Sequence, residues 1–137
     1  MEILERLQEG ISLTNQFLSV PGMSFCDLKP SGIPAEPGVY AIFHKETNET
    51  LYVGRTKNLR QRLYNNHLHG PSSNARLKKY LVEDANEPGI TSLEEAKAYL
   101  KESCLFRFII EHDTLKRGKF EGLLSFMLNI RYMYEEH

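Results

Sequence analysis

The chain has 137 residues, 41% hydrophobic and 26% charged, with a formal net charge of −1. That length fits one domain with a single core. No apolar run is long enough to span a bilayer, and Glu2, Glu5 and Glu9 interrupt the first apolar residues, so they do not read as a secretory signal. Cys26 and Cys104 form neither a metal pattern with the histidines nor a disulfide framework, and an intracellular, cytoplasmic setting is the expectation.

Residues 2–19 read as an amphipathic helix, with Ile3, Leu4, Leu7, Ile11, Phe17 and Leu18 along one apolar stripe. This helix is expected to pack on its own domain, with pairing of two protomers as the alternative. Four prolines and two glycines between positions 21 and 37 give loop composition. Residues 1–31 are thus expected to form a helix and connector, and 32–137 a second unit that carries the chemistry. Val39 to Phe43 and Leu51 to Val53 predict two strands, joined by a turn at Thr47-Asn48-Glu49 into an antiparallel hairpin. Asn58 predicts an N-cap for a helix running to about His67, with Leu59 and Leu63 as its buried edge. Gly70-Pro71 ends it, and Ser73 or Asn74 would cap a further helix through Leu77, Tyr80 and Leu81. Ser92 and Glu95 have capping-box spacing. Leu105 to Ile110 predicts a third strand, and the last helix begins near Lys119. Together these elements predict an α+β fold, a small three-stranded antiparallel sheet flanked by helices.

Charge is unevenly distributed. Seven of the 17 basic residues and none of the 18 acidic ones fall between positions 55 and 79, so one stretch is +7 in a chain of net −1. That is the footprint expected of a phosphate-backbone binder. Its members Arg55, Lys57, Arg60, Arg76, Lys78 and Lys79, with the neighbouring Asn58, Asn66, His67 and His69, are the candidate nucleic-acid contacts.

Cutting a phosphodiester needs an oriented, deprotonated water, neutralised charge on the phosphorus centre and a stabilised leaving oxygen. Tyr40 and Tyr52 are candidates to hold the water, if the hairpin register points them to one face. A free tyrosine titrates near 10, and Arg55 or Arg62 is expected to lower that. Arg62 offers a planar fork that matches two phosphate oxygens. With α-helical geometry Asn58, Arg62, Asn66 and His69 share a face, while His67 lies about 140° from Arg62. Glu121 is a candidate ligand for one Mg²⁺ or Mn²⁺, the other ligands being water and phosphate. No second carboxylate has an obvious claim.

Gly38-Val39-Tyr40, followed by Tyr52-Val53-Gly54-Arg55-Thr56-Lys57-Asn58-Leu59 and Arg62-Leu63, resembles the core motif of the GIY-YIG nucleases. The resemblance extends to Pro71 through Leu77, to Glu121-x-x-Leu124 and to Tyr132. It implies a metal-dependent endonuclease acting on DNA, with branched or damaged structures among the candidate substrates. Tyr40 or Tyr52 would position and deprotonate water, Arg62 would bind the scissile phosphate, and Glu121 the single divalent metal. Gly38 and Gly54 would be structural, Gly54 allowing a tight turn beside DNA. Three positions depart from the family. Met133 stands where many members have asparagine. Arg55 stands where others have lysine. His67 comes one residue later than the histidine some members carry one turn after the arginine. The alternative is a catalytically weak module of the same fold that binds nucleic acid or a protein partner, as monomer or homodimer.

Overall fold

A computed structural model describes residues 2–71 and 76–133. In chain order the elements are α1 (Ile3–Leu18), β1 (Met23–Ser24), β2 (Gly38–His44), β3 (Thr50–Thr56), a π-helix (Gln61–Leu68), α2 (Leu77–Glu83), α3 (Leu93–Ser103), β4 (Cys104–Ile110) and α4 (Thr114–Met127). The sheet is antiparallel in the order β1-β4-β2-β3. It has four strands rather than the three expected. The addition is two residues long and pairs Met23 with Phe106, inside a stretch whose prolines and glycines read as loop. So short a strand leaves no alternating pattern to detect.

The β2–β3 hairpin turns where expected. Asn48 adopts a positive φ of 61°, a conformation asparagine tolerates. His44 N–H donates to Glu49 O at 2.9 Å and closes the turn. Register sets the faces: Tyr40 opposes Gly54 and Ile42 opposes Tyr52, so both tyrosines lie on one face.

That face is covered by the π-helix, α2 and α3, through Leu63, Leu68, Leu77, Leu81 and Leu100. The opposite face carries Val39, Ala41 and Val53, packed under Phe17 of α1 and Leu124 of α4. Each such side chain contributes about 1.5–3 kcal/mol by burial.

The helix starts follow local chemistry. Asn58 Oδ1 accepts from Gln61 N–H at 3.1 Å, as an N-cap should. Ser92 Oγ accepts from Glu95 N–H at 3.1 Å. The last helix starts at Thr114, five residues before the expected Lys119, because Asp113 Oδ1 accepts from Lys116 N–H at 2.9 Å. The expected caps Ser73 and Asn74 lie outside the described residues.

Helix α1 does pack on its own domain, but not through the predicted stripe. Ile3, Leu4, Leu7, Ile11 and Leu18 are exposed, while Thr14 and Phe17 are buried. Gly10 sits so close to α4 that a Cβ there would lie 3.1 Å from Leu123. The smallest residue makes the close approach, which hydrophobic periodicity cannot signal. No described helix is long and apolar enough to cross a membrane.

Candidate functional site

The site is built where the hairpin meets the π-helix. Strand register places the tyrosine rings 6.3 Å apart, with 24° between their planes. Tyr40 is wholly buried and Tyr52 nearly so, at 8% exposure. Gly54 lies directly across from Tyr40, within β3 and not in a turn. A Cβ at Gly54 would stand 2.3 Å from the Tyr40 hydroxyl oxygen. The missing side chain therefore makes room for the phenol, a different role from the turn expected of it. Gly38 is equally constrained, since a Cβ there would come 2.1 Å from Ile109 O.

The helix after Asn58 is not α-helical along most of its length. Its hydrogen bonds widen to i→i+5 at the C-terminal end, where His69 N–H reaches Tyr64 O at 3.2 Å. Such wide turns are rare and recur at functional sites. They bring residue i+5, rather than i+4, back over residue i. Leu68 thereby follows Leu63 into the core, and His67 joins the face of Arg62. The expectation that His67 points away from Arg62 and contacts nucleic acid from the surface is overturned. Its ring is fully buried, 5.3 Å from Tyr40 and 5.2 Å from Tyr52, edge-on to both. The extra residue that set His67 out of step with an α-helix is absorbed by the wider turn.

Arg62 Nε–H donates to the Tyr40 hydroxyl at 3.2 Å, and that hydroxyl lies 2.6 Å from His67 Nε2. Arg62 also hydrogen-bonds Tyr52. Proton placement follows from burial. Desolvation, reinforced by the neighbouring Tyr52, raises the Tyr40 pKa well above its ordinary value of 10 against the pull of Arg62. The phenol keeps its proton, and His67 Nε2 is the acceptor beside it. His67 is then neutral with its proton on Nδ1, an atom with no partner among the described residues. The opposite tautomer would strand both the phenol proton and Nδ1, two orphans instead of one. Burial first, then Arg62 and Lys78, lowers the His67 pKa to about 3. Tyr52 is also raised, mainly by burial. The expectation that arginine would pull the tyrosines toward phenolate therefore fails: two nearly dry phenols lose more by desolvation than one guanidinium returns.

Glu121 lies on α4, across β3 from the tyrosines. Its carboxylate, 31% exposed, stands 3.8 Å from Arg55 Nε. Gly118 lets Arg55 lie against the helix, since a Cβ there would meet Arg55 Nη1 at 2.2 Å. Burial raises the Glu121 pKa while Arg55, and more weakly Arg62, lowers it. Glu121 in turn acts on the charge of Tyr40 and Tyr52. One half-buried carboxylate suits a Mg²⁺ or Mn²⁺ that keeps most of its waters. No group of three or more His, Cys, Asp or Glu suited to a metal occurs among the described residues, so a protein cage is not what these residues build.

The cationic stretch is partly committed to the fold. Lys78 is buried, and its ammonium donates to Leu68 O at 3.2 Å and Gly70 O at 2.6 Å, so it caps the end of the π-helix and is no surface phosphate contact. Helical periodicity made it look equivalent to Lys79, which is exposed and 4.0 Å from Glu83. His69 turns to α3, where Lys97 Nζ donates to its Nδ1 at 2.8 Å, so it does not join Arg62. Arg60 Nε–H donates to Ile33 O at 2.9 Å. Lys57 is exposed, while Asn58, Asn66 and Arg76 are partly so. Tyr132 lies off the tyrosine pair, stacked 5.9 Å from Tyr80 and donating to Asp84 Oδ2 at 2.6 Å. Met133 is exposed.

Sequence reasoning missed the His67–Tyr40 bond and the Arg131 clasp. Arg131 Nε–H donates to Glu49 Oε2 at 2.9 Å and an Nη1 hydrogen to Glu87 Oε1 at 2.8 Å. Only the one-residue displacement of His67 from its family position hinted at the former. Nothing in the sequence signals the latter, whose partners lie 82 and 44 positions away.

The profile of the GIY-YIG catalytic domain matches residues 36–114, which include Tyr40, Tyr52, Arg62 and His67 and stop short of Glu121. The chain is also 32% identical over 81 residues to UvrABC system protein C of Chlamydia abortus. That alignment covers 59% of this chain and 13% of the relative, so the chain spans a small part of that protein's length. The matched profile, the paired tyrosines on one sheet face and the arginine bound to them agree, and the chain belongs to the GIY-YIG catalytic domain family.

Proposed function

We propose that the chain is a divalent-metal-dependent endonuclease that hydrolyses phosphodiester bonds in DNA. The observation that carries this reading is the half-exposed Arg62 held by Tyr40 and Tyr52 in the family's motif. Tyr52 and Arg62 meet the substrate. Arg62 presents its remaining guanidinium N–H groups to the scissile phosphate and offsets charge that grows in the transition state. Tyr52, the less buried phenol, orients the attacking water. Tyr40 and His67 act through Arg62: they fix its plane from below and exclude water behind it. Neither of these two touches substrate in this arrangement.

Glu121 would hold the single Mg²⁺ or Mn²⁺. A cation there supplies positive charge that opposes the burial keeping both tyrosines protonated and offsets charge on the leaving oxygen. Branched or damaged DNA, and a protein partner that supplies targeting, are part of the same proposal. A cytoplasmic location goes with it.

The test is cleavage of supercoiled, linear, branched and single-stranded DNA with Mg²⁺ or Mn²⁺, beside Arg62→Ala and Glu121→Gln. Cutting by the unaltered chain and by neither variant supports the reading. Binding without cutting by any of the three moves it to the catalytically weak module.

A further inference from the structure

A groove of about 530 Å³ runs along the outer side of the helix that carries Arg62. Four carboxamides line it, Asn58, Gln61, Asn65 and Asn66, together with Arg60, and no acidic side chain does. That is unusual lining in a chain with 18 acidic residues. Two of the five are already occupied: Asn58 Oδ1 caps Gln61 N–H, and Arg60 Nε–H is tied to Ile33 O. No hydrogen bond among the described residues engages the side-chain amides of Gln61, Asn65 or Asn66. Gln61 and Asn65 are exposed and stand four residues apart, on one face.

We propose that this groove reads base edges of the nucleic-acid strand beside the scissile phosphate, with Gln61 and Asn65 as the specificity-determining residues. The inference rests on the reading of Arg62 as a phosphate ligand. A carboxamide carries a donor and an acceptor side by side, which matches N6 and N7 of adenine in a bidentate pair. It carries no charge, so it adds little to the salt-dependent affinity that lysine and arginine supply. Gln61 precedes Arg62 by one residue, so a base held by Gln61 and a phosphate held by Arg62 belong to neighbouring nucleotides. Arg60, with its Nε tied down, has its Nη groups free in direction to reach the backbone at the groove rim. The chemical class of ligand is therefore an adenine-containing strand in its duplex context.

The experiment is equilibrium binding, in a chelator, of a duplex pool randomised over about one helical turn, roughly ten base pairs. Bound DNA is sequenced for the unaltered chain and for Gln61→Ala/Asn65→Ala. The unaltered chain is expected to enrich adenine about five-fold or more at one or two positions. The double variant should enrich it less than about two-fold, with the salt dependence of binding unchanged because no charge is lost. Equal enrichment by both proteins, no enrichment by the unaltered chain, or no DNA binding overturns the inference. Cleavage with no base preference sinks this inference alone. Preference that depends on Gln61 and Asn65, without cleavage in Mg²⁺ or Mn²⁺, supports it and sinks the endonuclease reading alone.

Discussion

Replacing Gly54 with alanine probes the centre of the site. The new Cβ would stand 2.3 Å from Tyr40 Oη, 2.5 Å from Cζ and 2.8 Å from Cε1, where ordinary contact begins near 3.4 Å. The ring must retreat by about 1 Å, yet Tyr40 is fully buried between Tyr52 and His67. Overpacking of this kind costs about 1–3 kcal/mol. Displacing the hydroxyl also breaks its contacts with Arg62 and His67, and each buried group left unpaired costs about 1–3 kcal/mol. The expected loss is about 3–6 kcal/mol, a large share of the roughly 5–15 kcal/mol typical of a domain. Urea unfolding followed by circular dichroism measures it. The midpoint of thermal unfolding should fall by on the order of 10 °C or more. Tyr40→Ala added to Gly54→Ala removes the clash, so the pair should be less destabilised than the sum of the two single changes by more than 1 kcal/mol, roughly. A loss below about 0.5 kcal/mol for Gly54→Ala, or strict additivity, would refute the steric account of this glycine.

Three further outcomes follow from the same geometry. His67 binds a proton near pH 6.5 when unfolded and near 3 when folded, so between these values the unfolded state holds more protons and stability rises with pH. The slope from His67 alone is about 1.4 kcal/mol per pH unit well inside that window. His67→Asn should flatten the measured slope between pH 6 and 4.5 by about one proton; an unchanged slope would mean the buried ring is not the group titrating. Lys78→Met should cost about 1–3 kcal/mol in urea unfolding, because the carbonyls of Leu68 and Gly70 lose their cap. Lys79→Met should change stability by less than about 0.5 kcal/mol and lower the salt slope of DNA binding. Arg131→Met should cost about 2 kcal/mol, since Glu49, Glu87 and Asp84 lose their shared cation. No loss there would show that the clasp adds nothing to stability.

What the sequence by itself determined is what depends on near neighbours. The hairpin over Gly38–Thr56, the Asn58 and Ser92 caps, the breaks at Gly70 and the common face of Tyr40 and Tyr52 are local consequences of strand alternation, turn chemistry and capping. Position 54 had to be glycine for a reason that is already non-local, the phenol across the strand pair. Everything that depends on what packs against a residue was decided by tertiary structure. Whether Lys78 faces solvent or a helix end turns on where the chain folds back after Gly70. Whether arginine or burial governs the tyrosine pKa turns on how completely the π-helix closes over them. His67 is the sharpest case: an α-helical wheel turns it away from Arg62, and only the wider turn, which carries Leu68 after Leu63 into the core, brings the imidazole beneath the arginine. Periodicity assumes a helix of constant pitch, and here the packing of the core set the pitch.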